Sequence, residues 1–198
     1  MSLSESQTVP LARAPAGTKP TAKSKTASAL ALVAALAGCG SQSIEDYSNE
    51  QPKLDIRTYL SGPLSASGIV FDRAGKADLR FVADITGTWE GNTGTLDETF
   101  RYSDGRTDER IWTITFSDDK NFTATAGDVV GEAVGIQDGN TVNMSYVLRL
   151  PRGDSTIDLD MDDWLYLNED GTLINRTLMS KFGVRVGELF VTFRKLPE

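Results

Sequence analysis

Residues 80–116 read RFVADITGTWEGNTGTLDETFRYSDGRTDERIWTITF, and the spacing of their apolar side chains decides the fold. Phe81, Ala83, Ile85 and Trp89 occupy odd positions, with Arg80, Asp84 and Glu90 between them. Leu96, Phe100 and Tyr102 then share one face with Glu98, and Trp112, Ile114 and Phe116 share one with Arg110. A period of two is that of a strand with one face buried. The dipeptide Asp104-Gly105 lies between two such runs, where a hairpin turn needs a residue that tolerates positive φ. Outward from this stretch, Ala74-Gly75, Asp118-Asp119, Asp138-Gly139, Arg152-Gly153 and Asp170-Gly171 divide further alternating runs. No long helical period separates the strands, which argues against a parallel βαβ sheet. The count is about eight to ten antiparallel strands. Consecutive hairpins of that number must manage two edges, and closure into an up-and-down barrel does so most simply. A two-sheet sandwich is the alternative. A membrane-spanning barrel would need a lipid-facing apolar band between aromatic girdles, a pattern these strands lack.

Before the strands, Leu54, Ile56, Tyr59 and Leu60 fall loosely on a helical face that Ser61-Gly62-Pro63 ends, so one short helix is expected there. Further upstream the composition changes. Glu5, Arg13, Lys19, Lys23 and Lys25 precede an uninterrupted small and apolar run, ASALALVAALA, from Ala27 to Ala37. A basic lead, a short apolar core and small residues before a cut site describe a signal peptide, and the run is too short to span a bilayer. It ends in Leu36-Ala37-Gly38-Cys39, which resembles the lipobox of bacterial lipoproteins. That resemblance implies cleavage before Cys39 and acylation of its sulfur and its new amino group. Two or three acyl chains anchor stably where one is marginal. Gly40 and Ser41 lack the aspartate that holds many lipoproteins in the inner membrane, so the periplasmic face of the outer membrane is the expected address. The expected organisation is a signal peptide over 1–38, a lipidated polar tether over 39–52 and a barrel over 53–198.

Composition narrows the chemistry. The 198 residues hold 20 Lys plus Arg, 28 Asp plus Glu, one Cys and no His. Without histidine there is no Ser-His-Asp triad and no histidine-ligated zinc or haem. One Cys permits no intrachain disulfide. The formal charge of −8 disfavours a nucleic-acid face. Residues 1–38 hold four basic residues and one acid, so the mature chain carries 16 basic and 27 acidic residues, a charge of −11.

The stretches SGPLSASGIVFDRAGKADLRF (61–81), GTWEGNTGTLDETFRYSDG (87–105), IWTITF (111–116), DVVGEAVG (128–135), DDWLYL (162–167) and NRTLMSKFGVRVGEL (175–189) together resemble a family of Gram-negative lipoproteins, domain-of-unknown-function family 3833. The resemblance covers the mature chain and implies a lipocalin-like barrel with no established activity. Gly87-Thr88-Trp89 looks like the Gly-X-Trp signature of lipocalins, though it falls late in its strand.

Parity sorts the remaining residues. Val142, Met144, Tyr146, Leu148 and Leu150 form an apolar stripe, and Ile157, Leu159, Met161 and Leu165 share parity with Asp163. Ile174 and Leu178 share theirs with Arg176. Four charged residues, Glu98, Arg110, Asp163 and Arg176, are therefore expected to face inward, and burial requires them to pair. With Trp89, Phe100 and Trp112 they outline a pocket with an aromatic wall and an arginine for an anionic head group. Such pairs also occur in filled barrels, where they only fix the fold. A bulge at Asp162-Asp163-Trp164 would reverse the faces.

Asp158, Asp160 and Asp162 line a strand's solvent face and lack the glycine turn of a calcium loop, so no metal is expected. GEAVG and GVRVG lack the strand-then-helix setting of a phosphate loop. No cofactor, catalytic group or nucleic-acid partner is expected. Three functions remain, in order: a carrier of a hydrophobic or amphipathic ligand such as a lipid or fatty acid, an assembly protein with a filled barrel, and an envelope enzyme using Glu98 and Asp163 as acid and base. The carrier requires a cavity above about 300 Å³.

Overall fold

The structure is a computed structural model that describes residues 41–197; the expected signal peptide and Cys39 lie outside them. Ten strands follow one another: β1 (Gly62–Asp72), β2 (Ala77–Glu90), β3 (Thr93–Tyr102), β4 (Thr107–Phe116), β5 (Asn121–Thr125), β6 (Ala133–Asp138), β7 (Thr141–Arg152), β8 (Ser155–Leu167), β9 (Leu173–Lys181) and β10 (Val184–Lys195). Each pairs antiparallel with the next, and β1 pairs with β10 from Leu64↔Lys195 to Asp72↔Gly187, closing an up-and-down, lipocalin-like barrel. All six turn dipeptides separate strands, and their glycines, Gly75, Gly105, Gly139, Gly153 and Gly171, have positive φ. The sheet runs through Asp162–Trp164 without a register shift, so no bulge reverses the faces there.

A short helix α1 (Ile56–Tyr59) plugs one end of the barrel. Asp55 caps it by accepting the Arg57 N–H at 3.0 Å. Leu54, Ile56, Tyr59 and Leu60 are all buried in the core. Gln137 of β6 ties the plug down, accepting the Ile56 N–H at 3.1 Å and donating to the Asp119 carbonyl at 2.9 Å. Tyr59 Oη accepts the Leu173 N–H at 3.2 Å and lies 2.8 Å from the Gly171 carbonyl and 3.1 Å from that of Phe193. Removing that hydroxyl strands a buried N–H, a loss of about 1–3 kcal/mol. Tyr59→Phe is therefore expected to lower the free energy of urea unfolding by that amount; a change under about 0.5 kcal/mol would show the tie to be idle.

Within the described part of the stretch read as a tether, residues 44–47 pack on the barrel wall. Residues Ile44–Tyr47 form a 3-10 helix, with Ile44 buried. Tyr47 packs at a tilt against Trp164 and edge-on against Tyr166, ring centroids 6.0 and 5.5 Å away. Two apolar side chains in an otherwise polar stretch are enough to dock it, a signal too short to show as a period.

Candidate functional site

Between the plug and the far end, the inner wall lines a partly open apolar cavity of about 150 Å³. The small inward residues Ala66 and Ala124 leave this space while larger side chains fill the rest of the interior. Ile56 and Leu60 of the plug segment line it together with Leu96, Ile114 and Val142. Above this floor lies a polar belt formed by Glu98 of β3, Arg110 of β4, Tyr146 of β7 and Asp163 of β8. Phe81 and Phe100 stand in the same wall, with ring centroids 5.4 Å apart.

Of the seven pocket residues expected from parity, Glu98, Phe100, Arg110, Trp112 and Asp163 come together around this cavity. Trp89 does not line it. The residue keeps its inward parity but lies two positions past the contact between Gly87 and Leu60, at the plugged end, where it packs 6.1 Å from Phe116. Arg176 is also misplaced by the parity reading. It points outward and binds Glu188 at 2.6 Å, with 45% of its side chain exposed. On β9 the buried positions are Leu173, Asn175 and Thr177, so the polar residues turn inward while Ile174 and Leu178 cover the outside. The inversion serves Asp163: Thr177 donates a hydrogen bond to its Oδ1 and Asn175 stands beside it.

Sequence parity had no means of finding Asp128. Strands β5 and β6 are short, and the chain between them fills the upper wall, with the Val130 N–H bonding Val147 O at 2.9 Å and the Arg149 N–H bonding Asp128 O at 2.8 Å. That segment carries Asp128 to Arg110, whose Nε and Nη2 both donate to Asp128 Oδ2, at 3.1 and 2.6 Å. The arginine expected to await an anionic head group is thus occupied by a carboxylate of this chain. Beside the pair, β4 has partners on β5 only from Thr113 to Phe116. Above that point a groove of about 430 Å³ opens, with Tyr102, Asp108, Glu109, Gly127 and Asp128 in its walls. Phe100 and Arg110 belong to both groove and cavity.

The belt is rich in acid. Burial pushes the Glu98 carboxyl up to about 7, against the opposing pull of Arg110 and a Trp112 hydrogen bond, with Asp128 and Asp163 adding to the rise. Burial likewise raises Asp163 to about 6, though hydrogen bonds from Thr177, Tyr146 and Asn175 favour its charged form. Tyr146 is raised well above the ordinary phenol range, first by burial and then by the Asp163 charge. Two carboxylate oxygens in this region, Glu98 Oε2 and Asp128 Oδ1, are buried and have no hydrogen-bond partner among the described residues. Native structures satisfy nearly all such atoms, so these two oxygens set the belt apart from the rest of the interior.

On the outer face, Asp158 pairs with Arg149 at 2.8 Å, and Asp162 accepts from Asn143 and from the Trp164 indole. Two of the three aspartates in that row, Asp158 and Asp162, are thus engaged with side-chain donors. No group of three or more metal-ligating side chains is present among the described residues.

Several solved structures share this barrel. An S-type phycobiliprotein lyase from Guillardia theta superposes with a TM-score of 0.55 at 6% identity, over 80% of this chain and 99% of its own. The M. tuberculosis protein Rv2717c does so with a TM-score of 0.51 at 13% identity, over 75% and 100%. At these identities the likeness is one of fold. None of the curated proteins matches the sequence. Residues 33–195 match a family described as protein of unknown function (DUF3833), a span that includes Cys39.

Proposed function

This chain belongs to the DUF3833 family, whose description assigns no activity, and from that premise we propose that it is a lipid-anchored binding protein of the outer membrane whose barrel holds an amphipathic, lipid-like ligand. One observation carries the reading. An apolar cavity, floored by Ile56 and Leu60, ends at a polar belt with an orphaned buried oxygen, and a groove beside the belt shares two of its wall residues. An apolar chamber with a few convergent polar groups is the ordinary design of a small-molecule site.

The volumes define how such a ligand fits. The cavity is half of the 300 Å³ expected of a carrier and matches, in size, engineered cavities of about 150 Å³ that take up a benzene ring. A short tail or a ring occupies it, and the head and any remaining chain lie in the groove. The anchor is Cys39, with Leu36-Ala37-Gly38 before it and no aspartate at the two positions after it.

Native mass spectrometry on the protein released from the envelope tests both parts. The expected spectrum carries acyl mass on Cys39 and a second, non-covalent mass of several hundred daltons that a Cys39→Ala protein retains without the acylation. An unmodified Cys39 overturns the anchor. A clean apoprotein overturns the carrier and favours an assembly protein that uses the β4 border and exposed Ile111 to meet a partner.

A further inference from the structure

We propose that the head group this barrel accepts is cationic and donates N–H bonds, held between Glu98 and Asp128, and that a fatty-acid carboxylate is rejected. The inference rests on the carrier reading above and names the ligand class for the same site. Three observations point to it. First, the belt and its mouth hold three carboxyl groups, Glu98, Asp128 and Asp163, against the single guanidinium of Arg110. Second, that guanidinium is engaged by Asp128 Oδ2 through both Nε and Nη2. Third, Glu98 is 7% exposed, and its Oε2 is a buried oxygen without a partner among the described residues, an acceptor once the carboxyl ionises. Three carboxyl groups against one guanidinium leave the site net negative once Glu98 and Asp163 ionise, so a second anion beside them is repelled.

The surroundings agree. Asp108 and Glu109 stand with Asp128 in the walls of the groove, so a cation meets a negative field on its way in. Phe100, Tyr102 and Trp112 give aromatic faces at the same place, and Arg110 already lies over two of them, 5.6 Å from the Phe100 centroid and 5.9 Å from that of Trp112. The charged and titratable groups facing Glu98 are Arg110 from β4, Asp128 from the β5–β6 segment and Asp163 from β8. Tyr146 of β7 completes the belt, while β1, β2 and β10 bring the apolar Ala66, Ile85 and Val191 to the cavity. An ammonium group therefore meets a carboxyl that must lose its proton to pair with it, and binding of a cation is linked to proton release.

The test uses three chain-matched probes, octylamine, octanol and octanoate, by isothermal titration calorimetry with the folded wild-type barrel between pH 6 and 8. An alkylamine titrates near about 10.4 and a carboxylate near about 4.3, so neither probe changes charge in this range. At pH 7.5 octylamine is expected to bind at least about tenfold more tightly than octanoate, with octanol between them. Its affinity rises about tenfold from pH 6 to pH 8 as Glu98 ionises. In Glu98→Gln the preference for amine over alcohol disappears, and so does the pH dependence. Octanoate binding as tightly as octylamine overturns the head-group assignment and leaves the carrier standing, as does an amine affinity that is flat with pH. Failure of all three probes to bind overturns both.

Discussion

Between pH 5.5 and 8 the free energy of unfolding is expected to fall by about 3 kcal/mol, about 2 kcal/mol of it from Glu98, and Glu98→Gln is expected to remove that larger share. Glu98 ordinarily titrates near 4.5 and in the folded barrel near 7, because burial disfavours its charged form. Across that interval the native state holds a proton that the unfolded chain has released. Stability is therefore highest below the unfolded value and declines as pH rises through the folded one. Over the whole interval the loss is about 3 kcal/mol, of which the part above pH 5.5 is accessible without acid denaturation. Asp163, raised to about 6, declines earlier and contributes little above neutrality. The exposed carboxylates paired with arginines, Asp84 with Arg101, Asp104 with Arg106 and Asp158 with Arg149, are shifted the other way. Their contribution is lost only as pH falls through their lowered values, so they do not disturb this window. Chemical denaturation of both proteins at pH 5.5, 6.5, 7.5 and 8 measures the effect. Parallel curves would mean that Glu98 is solvated and that the belt is not the dry acidic site described here.

The same belt shows what a sequence can and cannot convey about such a site. On β2, β3, β4, β7 and β8 the apolar residues outnumber the polar ones on the inner face, so parity alone places Phe81, Glu98, Trp112, Tyr146 and Asp163 correctly. On β9 the logic reverses. A buried carboxyl on β8 needs donors from its neighbour, so Asn175 and Thr177 face inward, and the stripe of Ile174 and Leu178 then points to the wrong face. Asp128 lies on a segment with no period, and only the shortness of β5 and β6 brings it to Arg110. Because Arg110 was visible and its partner was not, its charge looked available for an anion. Trp89 errs differently: its face is right, but parity says nothing of depth along the barrel. Volume is equally hidden, since it depends on how far the facing side chains reach.

Gly87→Ala is expected to cost about 3–5 kcal/mol and to empty the ligand site at the same time. A β-carbon at Gly87 would stand 1.6 Å from the Leu60 carbonyl oxygen and 2.7 Å from its carbon. Both are backbone atoms, so no rotamer change relieves the clash, and the plug segment must lift. Lifting it exposes Ile56 and Leu60, each worth about 1.5–3 kcal/mol when fully buried. It also pulls Tyr59 from the Leu173 N–H and Ile56 from Gln137. Ile56 and Leu60 are also cavity lining, so the chamber that holds the tail loses its floor. Gly127→Ala serves as the control for stability alone, because Gly127 lies in the groove wall but a β-carbon there meets nothing within 4 Å, and its effect on unfolding should stay within about 0.5 kcal/mol. Urea unfolding gives the energies, and octylamine titration below the transition gives the loss of binding. A Gly87→Ala protein as stable as the control would mean that the plug is not seated on β2. If it were destabilised yet bound the amine normally, the tail would have to lie outside the plugged chamber, in the groove beside β4.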